Sequence, residues 1–119
     1  MSAEFDAKNI RHYASSGNLK ALQWIHKYKH HLWYLEKVMD EAAMNGHLDV
    51  VQWLHENRSE GITTSAMDRA VINGHLDVVQ FLHKKGGVCT TWAMNQATRK
   101  GYLDVVHWLD DHLEVKINI

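Results

Sequence analysis

Ten of the 119 residues are histidines and only one, Cys89, is a cysteine, so any chemistry in this chain falls first to imidazole. A neutral ring nitrogen binds zinc or copper, and the ring exchanges protons near neutral pH. His26 and His30 stand at i, i+4, which places two ring nitrogens on one helical face, but a metal site needs a third ligand and the adjacent His31 does not supply it. His26, His55 and His83 recur at intervals of 29 and 28 residues, with Asp110 a further 27 along. If these intervals mark stacked helices about 8–10 Å apart, two neighbouring rings can share an ion and three cannot converge on one. The expected state of the column is half-buried and hydrogen-bonded to loop backbone, with a histidine-based metal binder as the alternative. Ser, His and Asp are all present, but no strand-turn-helix nucleophile motif frames them. "GVCTTW" sets Cys89 beside a helix start, which can lower a thiol pKa, although a structural thiol is the expectation. No catalytic residue, metal site or cofactor is assigned, and the chain is read as not an enzyme.

The elements that position these residues follow from composition and repetition. The chain is 45% hydrophobic and 23% charged with a formal net charge of -1, which fits one folded domain with a real core. Lys27, Lys29, Arg99 and Lys100 are too few and scattered for a nucleic-acid footprint. No stretch has the apolar length of a membrane span and "MSAEFDAKNI" does not read as an export signal, so a cytoplasmic, or else nuclear, location is expected. A lone cysteine rules out an internal disulfide framework or a multi-cysteine zinc site. With no proline and only seven glycines, breakers are scarce and helices joined by short connections are favoured.

"GHLDVVQWLH" at Gly46 returns as "GHLDVVQFLH" at Gly74, as "GYLDVVHWLD" at Gly101 and, worn, as "GNLKALQWIH" at Gly17. These glycines are 29, 28 and 27 residues apart, and the drift in length belongs to the loop. Leu48, Val50, Val51, Trp53 and Leu54 spread over a broad arc at helical spacing, with Asp49 and Gln52 opposite, so this part predicts a helix buried on more than one side. Upstream, "MDEAAMNG", "MDRAVING" and "MNQATRKG" end at the same glycines, and Met67, Ala70 and Val71 are at helical spacing. Thr63-Thr64 and Thr90-Thr91 offer hydroxyl N-caps just before that pattern. Each unit therefore reads helix, glycine, helix, with the glycine at positive φ where a side chain would be strained. The aromatic column Trp24, Trp53, Phe81 and Trp108 lies at the edge of the buried arc and is read as core packing, not as a platform for bases.

These units resemble the ankyrin repeat, whose helix pair runs roughly T-P-L-H-x-A-A-x-x-G-H-L-x-V-V-x-x-L-L. "GHLDVVQWL" matches its second helix, Met39, Met67 and Met94 fall at its leucine, and Ala42, Ala70 and Ala97 at its first alanine. The resemblance covers about residues 8–109 and implies an all-α, ankyrin-like helical solenoid of four stacked helix pairs. The expected repeats are about 5–31, 32–60, 61–87 and 88–119, forming a single domain. The proline position holds Asn9, Val38, Ala66 and Ala93 and the histidine position Arg11, Asp40, Asp68 and Asn95, so the turn-bracing tetrapeptide is missing. The unit is about five residues shorter than the family's 33, which predicts shortened inter-repeat loops without hairpin fingers. A leucine-rich repeat is the rival, but its asparagine is replaced by Glu56, Lys84 and Asp111 and its ladder cannot form. The first copy is atypical, with Tyr13 at the alanine position and a long loop "KYKHHLWYLEK" holding Trp33 and Tyr34. The tail "EVKINI" is a candidate cover for the last helix.

The resemblance implies a protein-protein interaction module whose first helices line a concave face. The positions flanking the repeated core of those helices are His12, Ser15 and Ser16; Glu41, Met44 and Asn45; Arg69, Ile72 and Asn73; Gln96, Arg99 and Lys100. They differ from copy to copy while the core hardly changes, as a binding surface would. The strip runs from neutral to basic, Arg69, Arg99 and Lys100 outweighing Glu41, with Met44 and Ile72 adding apolar contact. The expected partner is another protein, through an acidic or amphipathic segment, with no nucleic acid and no membrane, and the chain is expected to be monomeric. The alternative outside this class is an architectural segment of a longer repeat protein with no partner of its own.

Overall fold

The structure, a computed structural model, describes residues 6–29, 35–58 and 62–112. Those residues form helix pairs and no strand: α1 (Ile10–Ser16) with α2 (Leu19–Lys29), α3 (Leu35–Met44) with α4 (Leu48–Asn57), α5 (Thr64–Ile72) with α6 (Leu76–Lys84), and α7 (Thr91–Lys100) with α8 (Leu103–His112). A 3-10 turn, Ala7–Asn9, leads into α1. The link from α6 to α7 makes turns and irregular backbone without a hairpin finger, as the short repeat predicts.

Each pair packs on the next, α1 on α3, α3 on α5 and α5 on α7, while α4, α6 and α8 meet much less. Side-chain size explains the asymmetry. The first helices face one another through buried alanines, Ala14, Ala42, Ala43, Ala66, Ala70, Ala93 and Ala97, which let the backbones approach closely. The second helices carry valine, leucine and the aromatic column. The first helices are therefore the closely packed side of the row and the second helices the bulkier one. The body measures 60 × 25 × 18 Å and its radius of gyration is 15.3 Å, above the roughly 13.5 Å of a compact chain this long.

The buried arc repeats as the sequence pattern repeats. Val50, Val51 and Leu54 are matched by Val78, Val79 and Leu82, and in the first copy by Ala21, Leu22 and Ile25. All of these but Ala21 join the buried residues of the first helices in one continuous core, against which Trp24, Trp53, Phe81 and Trp108 pack partly buried. At about 1.5–3 kcal/mol for each large aliphatic side chain buried, a pair alone covers too little surface and the stack does the rest. The fourth repeat shows the cost of having one neighbour: Met94 and Val106 are only partly buried, whereas Met67 and Val79 in the third are fully buried.

Every pair turns at a left-handed glycine, with φ of 76° at Gly17, 74° at Gly46, 74° at Gly74 and 82° at Gly101. At Gly74 the amide N–H donates to the Val71 carbonyl at 3.1 Å and the His75 N–H to the Ala70 carbonyl at 3.0 Å, a Schellman closure that satisfies the orphan carbonyls of α5. The histidines after Gly46 and Gly74 tie the repeats together. His47 Nε2 donates to the Ser15 carbonyl at 2.8 Å and His75 Nε2 to the Met44 carbonyl at 3.0 Å. To reach those carbonyls the rings lie over the preceding repeat's glycine: a Cβ on Gly17 would stand 2.7 Å from the His47 ring, and one on Gly46 2.5 Å from that of His75.

A second tie stands in for the missing tetrapeptide. Thr63 Oγ1 donates to Asp40 Oδ1 at 3.1 Å, and Thr90 donates to Asp68 through its hydroxyl at 2.9 Å and its amide at 2.8 Å. The same hydroxyls accept from Ala66 N–H and Ala93 N–H, both at 3.1 Å, and so cap α5 and α7. One threonine oxygen closes its own helix and holds the previous repeat's aspartate.

Glycine at these turns is needed for two separable reasons, and one pair of variants separates them. Gly101→Ala places a methyl at positive φ in open space, and about 1–2 kcal/mol of stability is expected to be lost. Gly74→Ala adds a contact of 2.6 Å with the Tyr102 ring. Its expected loss in urea unfolding is about 1–3 kcal/mol greater. Equal losses would mean that the ring moves away freely and that backbone strain alone requires the glycine.

Candidate partner-binding face

The side chains expected to face a partner come from the same places in successive first helices, so the stacking ties set their spacing. His12, Ser15 and Ser16 lie on α1, Gln96, Arg99 and Lys100 on α7, and all of the predicted positions remain at least partly open to solvent. Glu41, Met44 and Asn45 lie on or just after α3, and Arg69, Ile72 and Asn73 on or just after α5. Two of these side chains also finish their own helices. Asn45 Nδ2 donates to the Glu41 carbonyl and Asn73 Nδ2 to the Arg69 carbonyl, both at 2.9 Å, with Asn45 reaching Ser15 Oγ at 3.3 Å as well.

Four of the predicted residues meet in one groove. Met44, Arg69, Ile72 and Asn73 line a hollow of about 550 Å³ together with Ser65, Asp68 and Trp92. The other predicted positions lie outside it, spread along the row. Trp92 is 60% exposed and is a residue that the sequence reading missed. It sits nine residues before its glycine, one turn ahead of Gln96, in a column that reads Lys8, Lys37, Ser65, Trp92. That column varies as widely as the positions chosen, which was the available signal.

The charges differ from a simple count along the strip. Glu41 is held by Arg11 at 2.9 Å, with the Arg11 side chain 58% exposed. Such an exposed pair contributes little to stability, but it takes the strip's one carboxylate out of play. Asp68, at the groove wall, spends both oxygens on Thr90. Arg69 sends Nε to Ser65 Oγ at 3.1 Å and one terminal nitrogen to Met44 Sδ at 3.4 Å, and among the described residues no carboxylate pairs with it. The groove therefore has apolar walls and a cation with donors to spare.

A family model described as ankyrin repeats in many copies matches residues 10–55 and again 39–83. This chain belongs to the ankyrin repeat family. Among solved structures it resembles a chain of the crystal structure of the yeast ribosomal protein Rps3 in complex with its chaperone Yar1, with 20% identity, a TM-score of 0.77 and full coverage of both chains. At that identity the likeness is one of fold. No curated protein matches the sequence significantly.

Within the ankyrin stack the histidine column meets side chains of the next repeat, with Arg58 also donating a guanidinium N–H to His26 Nδ1 at 3.4 Å. The rings of His26, His55 and His83 are half-buried and each meets the next repeat's aromatic edge-on: Trp53 at 5.2 Å, Phe81 at 5.7 Å and Trp108 at 5.3 Å between centroids. A half-buried imidazole set edge-on to an aromatic ring is part of the packing between second helices. No group of three or more His, Cys, Asp or Glu able to hold a metal occurs among the described residues, and His30 lies outside them. Trp33, Tyr34 and the tail also lie outside. No described helix is long and apolar enough to cross a membrane.

Cys89 does not gain reactivity from the start of α7. Burial pushes its thiol up to about 11, and the negative charge of Asp68 adds to the rise. The thiolate is the reactive form, so the folded chain should be inert where a free thiol is not. At pH 8.5, iodoacetamide is expected to alkylate Cys89 at least about ten-fold more slowly in the native chain than in urea, where a free cysteine titrates near 8.5. Equal rates, followed by mass spectrometry, would contradict the assigned environment.

Proposed function

We propose that this chain is a non-enzymatic protein-interaction module that holds a partner protein across the concave face formed by α1, α3, α5 and α7. The observation that carries the reading is the division of labour along those helices. The residues that make the stack are committed, the buried alanines with Met39 and Met67 to the core, and Asp40, Asp68, Thr63, Thr90, His47 and His75 to ties between repeats. The positions left over point outward on a rigid row, differ between repeats, and place Arg69, Arg99 and Lys100 opposite no carboxylate of their own among the described residues. A rigid, preorganised surface loses little freedom on binding, which is how a small interface reaches useful affinity.

Family membership supports an interaction role in place of catalysis. The similar solved chain comes from a complex of a ribosomal protein with its chaperone, and a protein partner is the corresponding reading here. The partner's chemistry follows from charge: an acidic or amphipathic segment, attracted by the arginines and lysine and packed on Met44 and Ile72.

Reversing Arg69, Arg99 and Lys100 to glutamate together should abolish capture of the partner by the immobilised chain from lysate, because a like-charged face repels what the native one attracts. All three side chains are exposed, so the far-ultraviolet circular dichroism should stay unchanged. Undiminished capture by a folded triple variant would put the binding surface elsewhere.

A further inference from the structure

The groove between α3, α5 and α7 has the makings of a pocket for one kind of side-chain pair. Its walls are the thioether of Met44, the aliphatic end of Ile72 and the indole of Trp92, all surfaces that gain by covering apolar groups. A volume of about 550 Å³ lies in the range of pockets that enclose a compact ligand, and it exceeds the needs of a single water cluster. A tryptophan 60% exposed at the edge of such a hollow is an apolar plate without a cover.

The polar groups of the hollow are unequal. Asp68 accepts from the Thr90 hydroxyl and amide, at 2.9 and 2.8 Å, so each of its oxygens is engaged in the tie between repeats. Arg69 is different. Its Nε is fixed by Ser65 Oγ at 3.1 Å and one terminal nitrogen rests on the Met44 sulfur at 3.4 Å, a weak acceptor. These contacts hold the guanidinium in place and leave most of its five donors for a ligand. A held guanidinium with which no carboxylate pairs among the described residues can take one from a ligand, through two parallel bonds.

We infer that this groove is the anchor pocket for a bulky apolar side chain of a partner segment, packed against Trp92, Met44 and Ile72, with the carboxylate of a neighbouring Asp or Glu in that segment on Arg69. This rests on the reading of the chain as an interaction module and adds to it the site and the chemistry of the anchor. The apolar contact supplies the burial and the arginine fixes which sequence is accepted, because a lysine in place of the acidic residue would set two cations together.

The test is a titration of the full chain with a capped eight-residue peptide that carries Phe flanked by two Asp in a Gly-Ser background, followed by NMR. The expected result is saturable shifts of the Trp92 indole, the Ile72 and Met44 methyls and the Arg69 Nε–H. Binding should weaken at least about five-fold when Lys replaces both Asp residues, when Ala replaces Phe, and in Trp92→Ala and Arg69→Gln. Both substituted side chains are exposed, so both variants should keep native helicity, which circular dichroism checks. Absence of shifts, shifts confined to other residues, or equal affinity for the Lys peptide would overturn the anchor. Any of these beside loss of capture in the charge-reversed triple variant would leave the interaction module standing and remove only the pocket.

Discussion

The structure depends on a bare glycine beneath the next repeat's aromatic ring. At Gly17 and Gly46 the chain reverses at positive φ, and the empty space where a side chain would stand is filled by His47 and His75. Because the rings sit there, Nε2 reaches the carbonyl two residues before the glycine, Ser15 in one case and Met44 in the other. One residue type thus meets a conformational need, a packing need and a hydrogen-bonding need at the same point. The spacing of the first helices, and hence of everything they display, is set by that contact. Gly74 and Tyr102 keep the packing half of the arrangement with a phenol ring where the other repeats have imidazole.

Short repeats without the family's turn-bracing tetrapeptide need another brace, and the aspartate-threonine pair provides it. Asp40 and Asp68 stand where the resemblance places the family's histidine, and each takes the threonine that caps the following first helix. The bond crosses from one repeat to the next, so losing the tetrapeptide does not loosen the stack. The second helices gain a weaker version of the same continuity from His26, His55 and His83 meeting Trp53, Phe81 and Trp108. Ties of all three kinds are polar or aromatic and sit around a core built only of aliphatic residues, with no buried charged side chain among the described residues.

The architecture was legible because it is written several times: glycine spacing, threonine caps and the buried arc of Val50, Val51 and Leu54 each predict a feature that the structure contains. The departures lie where a residue's partner is in another repeat. Periodicity shows that His55 recurs and is half-buried, but not that its ring meets Phe81 edge-on. Counting charges along the strip credits Glu41 with a negative charge that Arg11, one repeat earlier, already holds. Asn45 and Asn73 look free in a list of variable positions, yet both amides close the last turn of their own helices. Trp92 escaped because it stands in the first turn of α7, ahead of every position singled out in the first helices.

Trp92 also explains why the groove occurs at one place in a row of similar repeats. The column it belongs to holds Lys8 and Lys37 in the first two repeats, both exposed, long side chains whose stems are able to cover apolar surface while the charged ends stay in water. In the third repeat Ser65 is small, and the space a lysine stem would cover is left open. In the fourth, Trp92 is a broad exposed side chain, and it borders the hollow together with Met44 and Ile72. A small residue followed by a large one makes a step, and a step in an otherwise regular row makes a hollow. Stacking requires neither residue, since Ala66, Met67, Ala93 and the threonine caps already meet its needs in those repeats. The hollow is therefore a property of positions that the fold leaves unconstrained, and positions of that kind are where a repeat protein can change what it binds without changing how it stands.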